Sequence, residues 1–114
     1  MSRDDMEKLA HRMYAAGNAC DIDAIDDIFA ADFRSHPMGT TGTAPLKAAW
    51  VTFRGKYPDL HLTVEDMLAD GDKLAVRGTV HGTPADHPPT LMEIIRIADG
   101  RIAELWGVTD LNFR

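Results

Sequence analysis

Two carboxylates fall where the pattern of the chain calls for apolar side chains. Alternation over Leu91 to Ile97 puts Glu93 on the same face as Leu91, Ile95 and Ile97. In the last segment the same rule places Ile102, Trp106, Val108 and Asp110 on one face, so Asp110 projects beside an indole if that face turns inward. Burial disfavours the charged form of an acid and raises its pKa, which makes it a better proton acceptor near neutral pH. Two such groups lining one apolar pocket can divide the acid and base roles. A structural reading fits the same positions: Asp110 solvated at a fraying strand end, and Glu93 paired with an Arg across a dimer interface.

Other chemistries find little support. None of the five histidines has the helical spacing of a zinc protease site, and the nearest cluster, His81, Asp86 and His87, straddles a Pro-containing loop, so no metal is expected. No glycine-rich loop links a strand to a helix, and no Gly-x-Ser-x-Gly turn occurs. Cys20 stands directly before Asp21, surroundings that do not favour a thiolate; its expected role is packing near a helix junction. Trp50 sits at core spacing with an edge available to a cavity.

The elements that position these groups read as helices first and strands afterwards, the α+β order. Met6, Leu9, Ala10, Met13 and Tyr14 form a helical stripe, with Ser2 as N-cap and Gly17-Asn18 as the stop. Asp21 is expected to cap a second helix carrying Ile22, Ile25, Ile28 and Phe29 and ending near Ala31-Asp32. Gly39 to Gly42 reads as a loop. Thr43 then caps a third helix with Pro45 in its first turn, Leu46, Ala49, Trp50, Phe53 and Tyr57 on its buried face, and Pro58 at its close.

Beyond Pro58 the period becomes alternating. Leu60, Leu62 and Val64 share a face, and the slip to Met67 and Ala69 predicts a bulge near Glu65-Asp66. Asp70-Gly71 turns the chain into a return strand over Leu74 to Thr83, with Gly78 and Gly82 on the Leu74, Val76 and Val80 face. After a loop from Pro84 to Pro89, Leu91 to Ile97 and Arg101 to Leu111 form a second hairpin around Asp99-Gly100.

At 114 residues the chain is read as one domain over 1–114. Twelve Lys and Arg against 18 Asp and Glu give a formal charge of -6. No basic stripe is available to neutralise phosphates, and an acidic domain is repelled by anionic membranes, so neither nucleic acid nor a membrane is an expected partner. The charged start from Met1 to Glu7 and a single cysteine suit a cytoplasmic location. Met92 and Ile94 lie opposite Ile95 and Ile97, leaving apolar residues on both faces of the last hairpin; this predicts a homodimer.

Phe33-Arg34-Ser35-His36-Pro37, then Tyr57-Pro58-Asp59-Leu60, Val64-Glu65-Asp66-Met67, Asp70-Gly71-Asp72, Gly82-Thr83 and Asp99-Gly100-Arg101-Ile102 with Glu104-Leu105-Trp106 follow one another in an order that resembles the SnoaL-like polyketide cyclases of the nuclear-transport-factor-2-like superfamily. The resemblance covers nearly the whole chain. It implies a cystatin-like cone: three N-terminal helices packed on a curved antiparallel sheet around a pocket.

The resemblance also implies chemistry without a cofactor on a small hydrophobic molecule. Asp110 maps to an acid/base Asp of the last strand, Glu93 to a pocket position, and His36 to the His at the end of the first strand. The leading expectation is that Asp110 accepts a proton from a carbon beside a carbonyl, for cyclisation or isomerisation, while His36 or Glu93 holds the developing enolate oxygen. Trp106, Trp50, Phe53, Met67 and Tyr14 are the expected substrate-binding residues. The superfamily leaves two alternatives: epoxide hydrolysis using Glu93, Asp110 and Arg77, and a non-catalytic ligand-binding or dimerisation module. Pro84 replaces the usual His after Gly-Thr, and the Pro84 to Pro89 loop is short, both departures at the pocket rim.

Overall fold

A computed structural model describes residues 1–110. Helix α1 (Arg3–Ala19) begins as its sequence demands: Ser2 Oγ accepts the Asp5 N–H at 3.1 Å, and Asp4 and Asp5 lie at the positive end of the helix dipole. The helix runs past Gly17-Asn18 to Ala19. Cys20 then takes the left-handed conformation, φ 51°, and its N–H returns to the carbonyls of Ala16 and Gly17.

The expected second helix is shorter than its apolar stripe. A 3₁₀ turn (Ile22–Ala24) leads into α2 (Ile25–Ile28), Asp21 makes no side-chain cap, and the chain enters strand β1 (Phe29–Ser35) where helix was predicted to Ala31-Asp32. Ile25, Ile28 and Phe29 are all buried, so the i, i+3, i+4 pattern is real. A helix that stops at Ile28 satisfies it equally well, and parallel pairing of β1 with the last strand then engages the backbone beyond. Within the segment read as a loop, Thr40–Thr41 forms a short β2 paired with Arg34 and Ser35.

Helix α3 (Ala44–Lys56) carries Pro in its first turn as expected. Thr43 does not cap it; its hydroxyl donates to Asp26 instead, at 3.0 Å. Strands β3 (His61–Asp70), β4 (Lys73–His81), β5 (Thr90–Ala98) and β6 (Arg101–Thr109) complete a six-stranded sheet in the order β2-β1-β6-β5-β4-β3. The sheet is antiparallel except for β1 against β6, which corrects the all-antiparallel expectation. Leu111, expected at the end of the last strand, lies outside the described residues.

Besides the register shift between β1 and β6 from Phe29 to Arg34, two irregularities in the sheet decide which side chains face the helices. The first lies in β3 between Val64 and Asp66, as the slipped alternation predicted. The second, in β6, was not foreseen. Ile97 pairs with Ile102 but Arg96 pairs with Glu104, so Ala103 is an extra residue. Inserting one residue exchanges the two faces of everything after it. Beyond Ala103 the inward positions are Leu105, Gly107 and Thr109, and Trp106 and Val108 pair with Ile94 and Met92 on the outer face. The core between sheet and helices holds Phe29, Phe33, Ile25, Ile28, Leu74 and Ile95. Phe29 and Phe33 meet edge to face at 4.7 Å.

Candidate functional site

Where α1 and α3 diverge over the inner face of the sheet they leave a cavity of about 420 Å³, within the range of small-molecule sites. Its wall is overwhelmingly apolar: Met13 from α1, Phe29 and Phe33 from β1, Leu46, Trp50 and Phe53 from α3. Leu62, Val80, Leu91 and Leu105 continue it along the sheet. Asn18, Arg54 and His61 stand on the same wall.

Glu93 projects into this cavity, as alternation along β5 predicted. It reaches Tyr14 on α1, whose hydroxyl donates to Glu93 Oε1 at 2.8 Å. Burial in apolar surroundings pushes the Glu93 carboxyl up to about 7, and the Tyr14 hydrogen bond pulls it back in part. Tyr14 is pushed well above its ordinary value, first by burial and then by the negative charge and hydrogen bond of Glu93. The phenol therefore keeps its proton throughout the neutral range and acts as a donor. Opposite Glu93 on β6 stands Gly107, where a Cβ would lie 3.2 Å from Glu93 Cγ and 3.3 Å from Oε2; the missing side chain makes room for the carboxylate.

Tyr14, Trp50 and Phe53 line the cavity together with Glu93, as expected of them. The other expected site residues do not. Asp110 is exposed at the end of β6, and its Oδ1 accepts the Thr90 N–H at 2.7 Å, closing the rim of the hairpin. Trp106 lies on the outer face because of the Ala103 bulge, and His36 stacks on its indole, rings 4.7 Å apart. His36 also bonds Glu104, which with Arg96 on its other oxygen is held below the usual carboxylate range. Met67 packs against the core from β3 without reaching the cavity wall. Arg77 is exposed and paired with Asp66 at 2.6 Å, so the Glu93, Asp110 and Arg77 set of an epoxide hydrolase is not assembled.

Three contributors escaped sequence reasoning. Asn18 pairs its carboxamide with the backbone of Leu62 on edge strand β3, donating at 2.9 Å and accepting at 2.7 Å. Arg54 donates to the carbonyls of Asn18 at 2.6 Å, Gly17 at 3.3 Å and Pro58 at 2.8 Å, tying α1 to α3 at the cavity wall. Ser35, 4% exposed, puts a hydroxyl among the apolar lining. The helix-stop position of Asn18 is the one visible signal; a lone serine between Arg34 and His36 carries none in the hydrophobicity pattern.

The known proteins that this chain resembles share this architecture. A structure from Bacillus cereus, assigned by name to the polyketide cyclases, is 31% identical, with a TM-score of 0.84 over 96% of this chain and 79% of its own. A SnoaL-like polyketide cyclase from Agrobacterium tumefaciens superposes with a TM-score of 0.83 at 16% identity, over 92% of this chain and 91% of its own. A protein from Kribbella flavida assigned to the ketosteroid isomerases gives 0.73 at 22% identity, over 97% and 82%. These last two speak for the fold alone. No curated protein matches. The model of the SnoaL-like domain matches residues 10–105, most of the chain, and the protein belongs to the SnoaL-like family.

Proposed function

We propose that this protein is an acid/base enzyme acting on a small hydrophobic carbonyl compound, with Glu93 as the proton-transferring group. The observation that carries the reading is the Tyr14–Glu93 hydrogen bond inside an apolar cavity of about 420 Å³. A carboxylate with an acidity near neutrality accepts a proton from carbon and returns it without a large penalty either way. The low-dielectric wall strengthens its action on a neutral substrate. In this reading Glu93 takes a proton from carbon beside a carbonyl, and cyclisation or isomerisation follows from the carbanion; the base role moves from Asp110 to Glu93. The naming of relatives as polyketide cyclases agrees with this reaction class.

A generic proton-abstraction probe tests it. With 5-nitrobenzisoxazole, the base removes the ring C–H proton as the N–O bond breaks, leaving a nitrile and a coloured phenolate. The wild-type protein is expected to catalyse this opening with saturation, at a rate that rises with pH around 7, and Glu93→Gln to lose about a hundredfold or more. Equal rates in Glu93→Gln and wild type would overturn the assignment. A ligand-binding module without chemistry would bind the probe and leave its opening at the background rate.

The same reading includes a homodimer through the outer sheet face. Met92, Ile94 and Val108 are exposed there around Trp106, with Leu68 further along. The nearby charges, Arg77 with Asp66 and Arg96 with Glu104, are already paired. A second copy offers the same apolar strip and meets no unpaired charge from these groups, whereas the acidic remainder of the surface repels.

A further inference from the structure

The cavity has one fully buried polar side chain whose capacity is not used by the fold. Among the described side chains on its wall, Asn18 is paired edge to edge with Leu62, and Arg54 is engaged by three backbone carbonyls. Tyr14 gives its proton to Glu93, and Thr109 donates to the Thr90 carbonyl at 2.7 Å. His61 is exposed, with Nδ1 against the Asp59 carbonyl. Ser35 differs. Its Oγ receives only the long Met38 N–H contact of 3.4 Å, and its own hydroxyl hydrogen meets no acceptor among the described residues. A hydroxyl buried among apolar groups without an acceptor is unfavourable, which favours any ligand that supplies one.

Ser35 is also fixed in place. It sits on β1 between Thr40 of β2 and Leu105 of β6, and Gly107, two residues further along β6, faces Glu93. Two strand spacings across the sheet and two residues along it therefore separate the backbones of Ser35 and Glu93, about 12 Å on a flat sheet. A two-ring ketone with a hydrogen bond at one end and van der Waals contact at the other spans about that distance.

We propose that Ser35 is a second polar anchor of this cavity, donating its hydroxyl hydrogen to a carbonyl oxygen of a neutral ring ketone whose far end lies against Glu93. The inference rests on the Glu93 reading for the identity of that far end and adds the class of ligand. A ligand carboxylate or phosphate is disfavoured because the ionisable group on this part of the wall is itself an acid. A ring hydrocarbon without oxygen fits the walls but leaves Ser35 unanswered.

The test compares 1-tetralone with tetralin, the same two-ring frame with and without the carbonyl, using tryptophan fluorescence, in which Trp50 is the reporter on the cavity wall and Trp106 lies on the outer face. Wild type is expected to prefer 1-tetralone about three- to tenfold, the size of one net hydrogen bond. Ser35→Ala is expected to remove that preference while binding tetralin as wild type does. Absence of the preference in wild type, or its persistence in Ser35→Ala, overturns the proposal. An infrared measurement on wild type serves if the variant fails to fold. Above pH 8, Glu93 is a carboxylate accepting from Tyr14, so a lowered carbonyl stretch in bound 1-tetralone that Trp50→Phe retains points to Ser35, and one that Trp50→Phe abolishes belongs to the indole N–H and overturns the proposal. A stretch at its hydrocarbon-solvent position overturns the inference. Loss of 5-nitrobenzisoxazole opening in Glu93→Gln is read separately, so failure of the Ser35 anchor and failure of the Glu93 base are distinguishable.

Discussion

Tyr14 and Glu93 stand 79 positions apart in the chain and meet at 2.8 Å, hydroxyl to carboxylate, between the first helix and the fifth strand. The pair joins the two layers of the fold through a carboxylate set in an otherwise apolar stretch of the wall. It also sets the protonation behaviour of the site. The phenol is held as a donor, and the carboxyl is poised near neutrality by a burial penalty that its hydrogen bond only partly offsets.

That poise has a signature in stability. Glu93 has an ordinary value of 4.5 and is raised to about 7 in the folded protein. Between those values the folded state holds more protons than the unfolded one. The contribution is fully present below about 4.5 and is lost as pH rises through 7. The swing is roughly 3 kcal/mol. Urea unfolding of wild type and Glu93→Gln at pH 5 and pH 8.5 is expected to show the variant gaining relative stability by about 2 to 3 kcal/mol at the higher pH. A difference that does not change with pH would mean that Glu93 ionises without penalty.

Removing the phenolic hydroxyl isolates the opposing effect. In Tyr14→Phe the carboxylate loses its donor but remains buried, so its pKa is expected to rise further, and the pH dependence of 5-nitrobenzisoxazole opening should move to more alkaline pH with it. A carbon-detected NMR titration of Glu93 reads the shift directly. Stability at pH 8 should fall by about 1 to 3 kcal/mol, the cost of leaving a buried charge without its partner, and by less at pH 5. A lowered Glu93 pKa would contradict the geometry.

Alternation alone placed Glu93 inward because β5 is regular along the stretch that carries it, and nothing interrupts the period of two from Leu91 to Ile95. The same rule failed for Trp106 and Asp110. One inserted residue, Ala103, exchanges the faces of β6, and an apolar, buried alanine leaves no mark in a hydrophobicity pattern. The β3 bulge was legible because Glu65-Asp66 puts two charged residues between Val64 and Met67, where alternation calls for one polar residue. The spacing of Ile25, Ile28 and Phe29 carries the predicted helix to Ala31-Asp32, over the first part of β1, and what ends the helix earlier is pairing with a strand some seventy residues away. The place of Ser35 follows from that long-range pairing, and the Tyr14–Glu93 bond from the packing of α1 on β5, neither of which local pattern encodes.

Asn18 works as a surrogate strand neighbour, since both hydrogen bonds of its carboxamide go to Leu62 on the free edge of β3. Asn18→Ala is expected to expose that edge at the cavity wall. Amide exchange of Leu62 should accelerate at least tenfold relative to Leu74 in the core, with a stability loss of about 1 to 2 kcal/mol. Unchanged Leu62 protection would show that β4 alone holds the strand.

Ile94 tests the proposed pairing of copies. It lies 45% exposed at the centre of the outer strip, away from the cavity. Ile94→Glu places a charge at the middle of a two-fold interface, where it meets its own copy. Sedimentation at ~100 µM is expected to give a dimer for wild type and a monomer for the variant; a wild-type monomer at that concentration is inconsistent with an interface of standard size.

Gly107 links packing to chemistry. An alanine Cβ at this position would press on Glu93 Cγ at 3.2 Å and Oε2 at 3.3 Å and meet the Met92 carbonyl at 3.4 Å. The glycine is not one of those with positive φ, so the added methyl acts through crowding. The carboxylate is the movable neighbour, and a displacement of a few tenths of an ångström weakens its alignment with both Tyr14 and substrate. Gly107→Ala is expected to lower 5-nitrobenzisoxazole opening about tenfold and to cost about 1 to 2 kcal/mol of stability. Gly55→Ala is the control, because a Cβ there meets nothing within 4 Å and the residue lies in α3; it should raise stability by up to about 1 kcal/mol and leave the rate alone. If Gly107→Ala matched wild type in rate and in the Glu93 titration, the position of the carboxylate would have to be set by Tyr14 alone, and the close approach of β6 would have no part in the site.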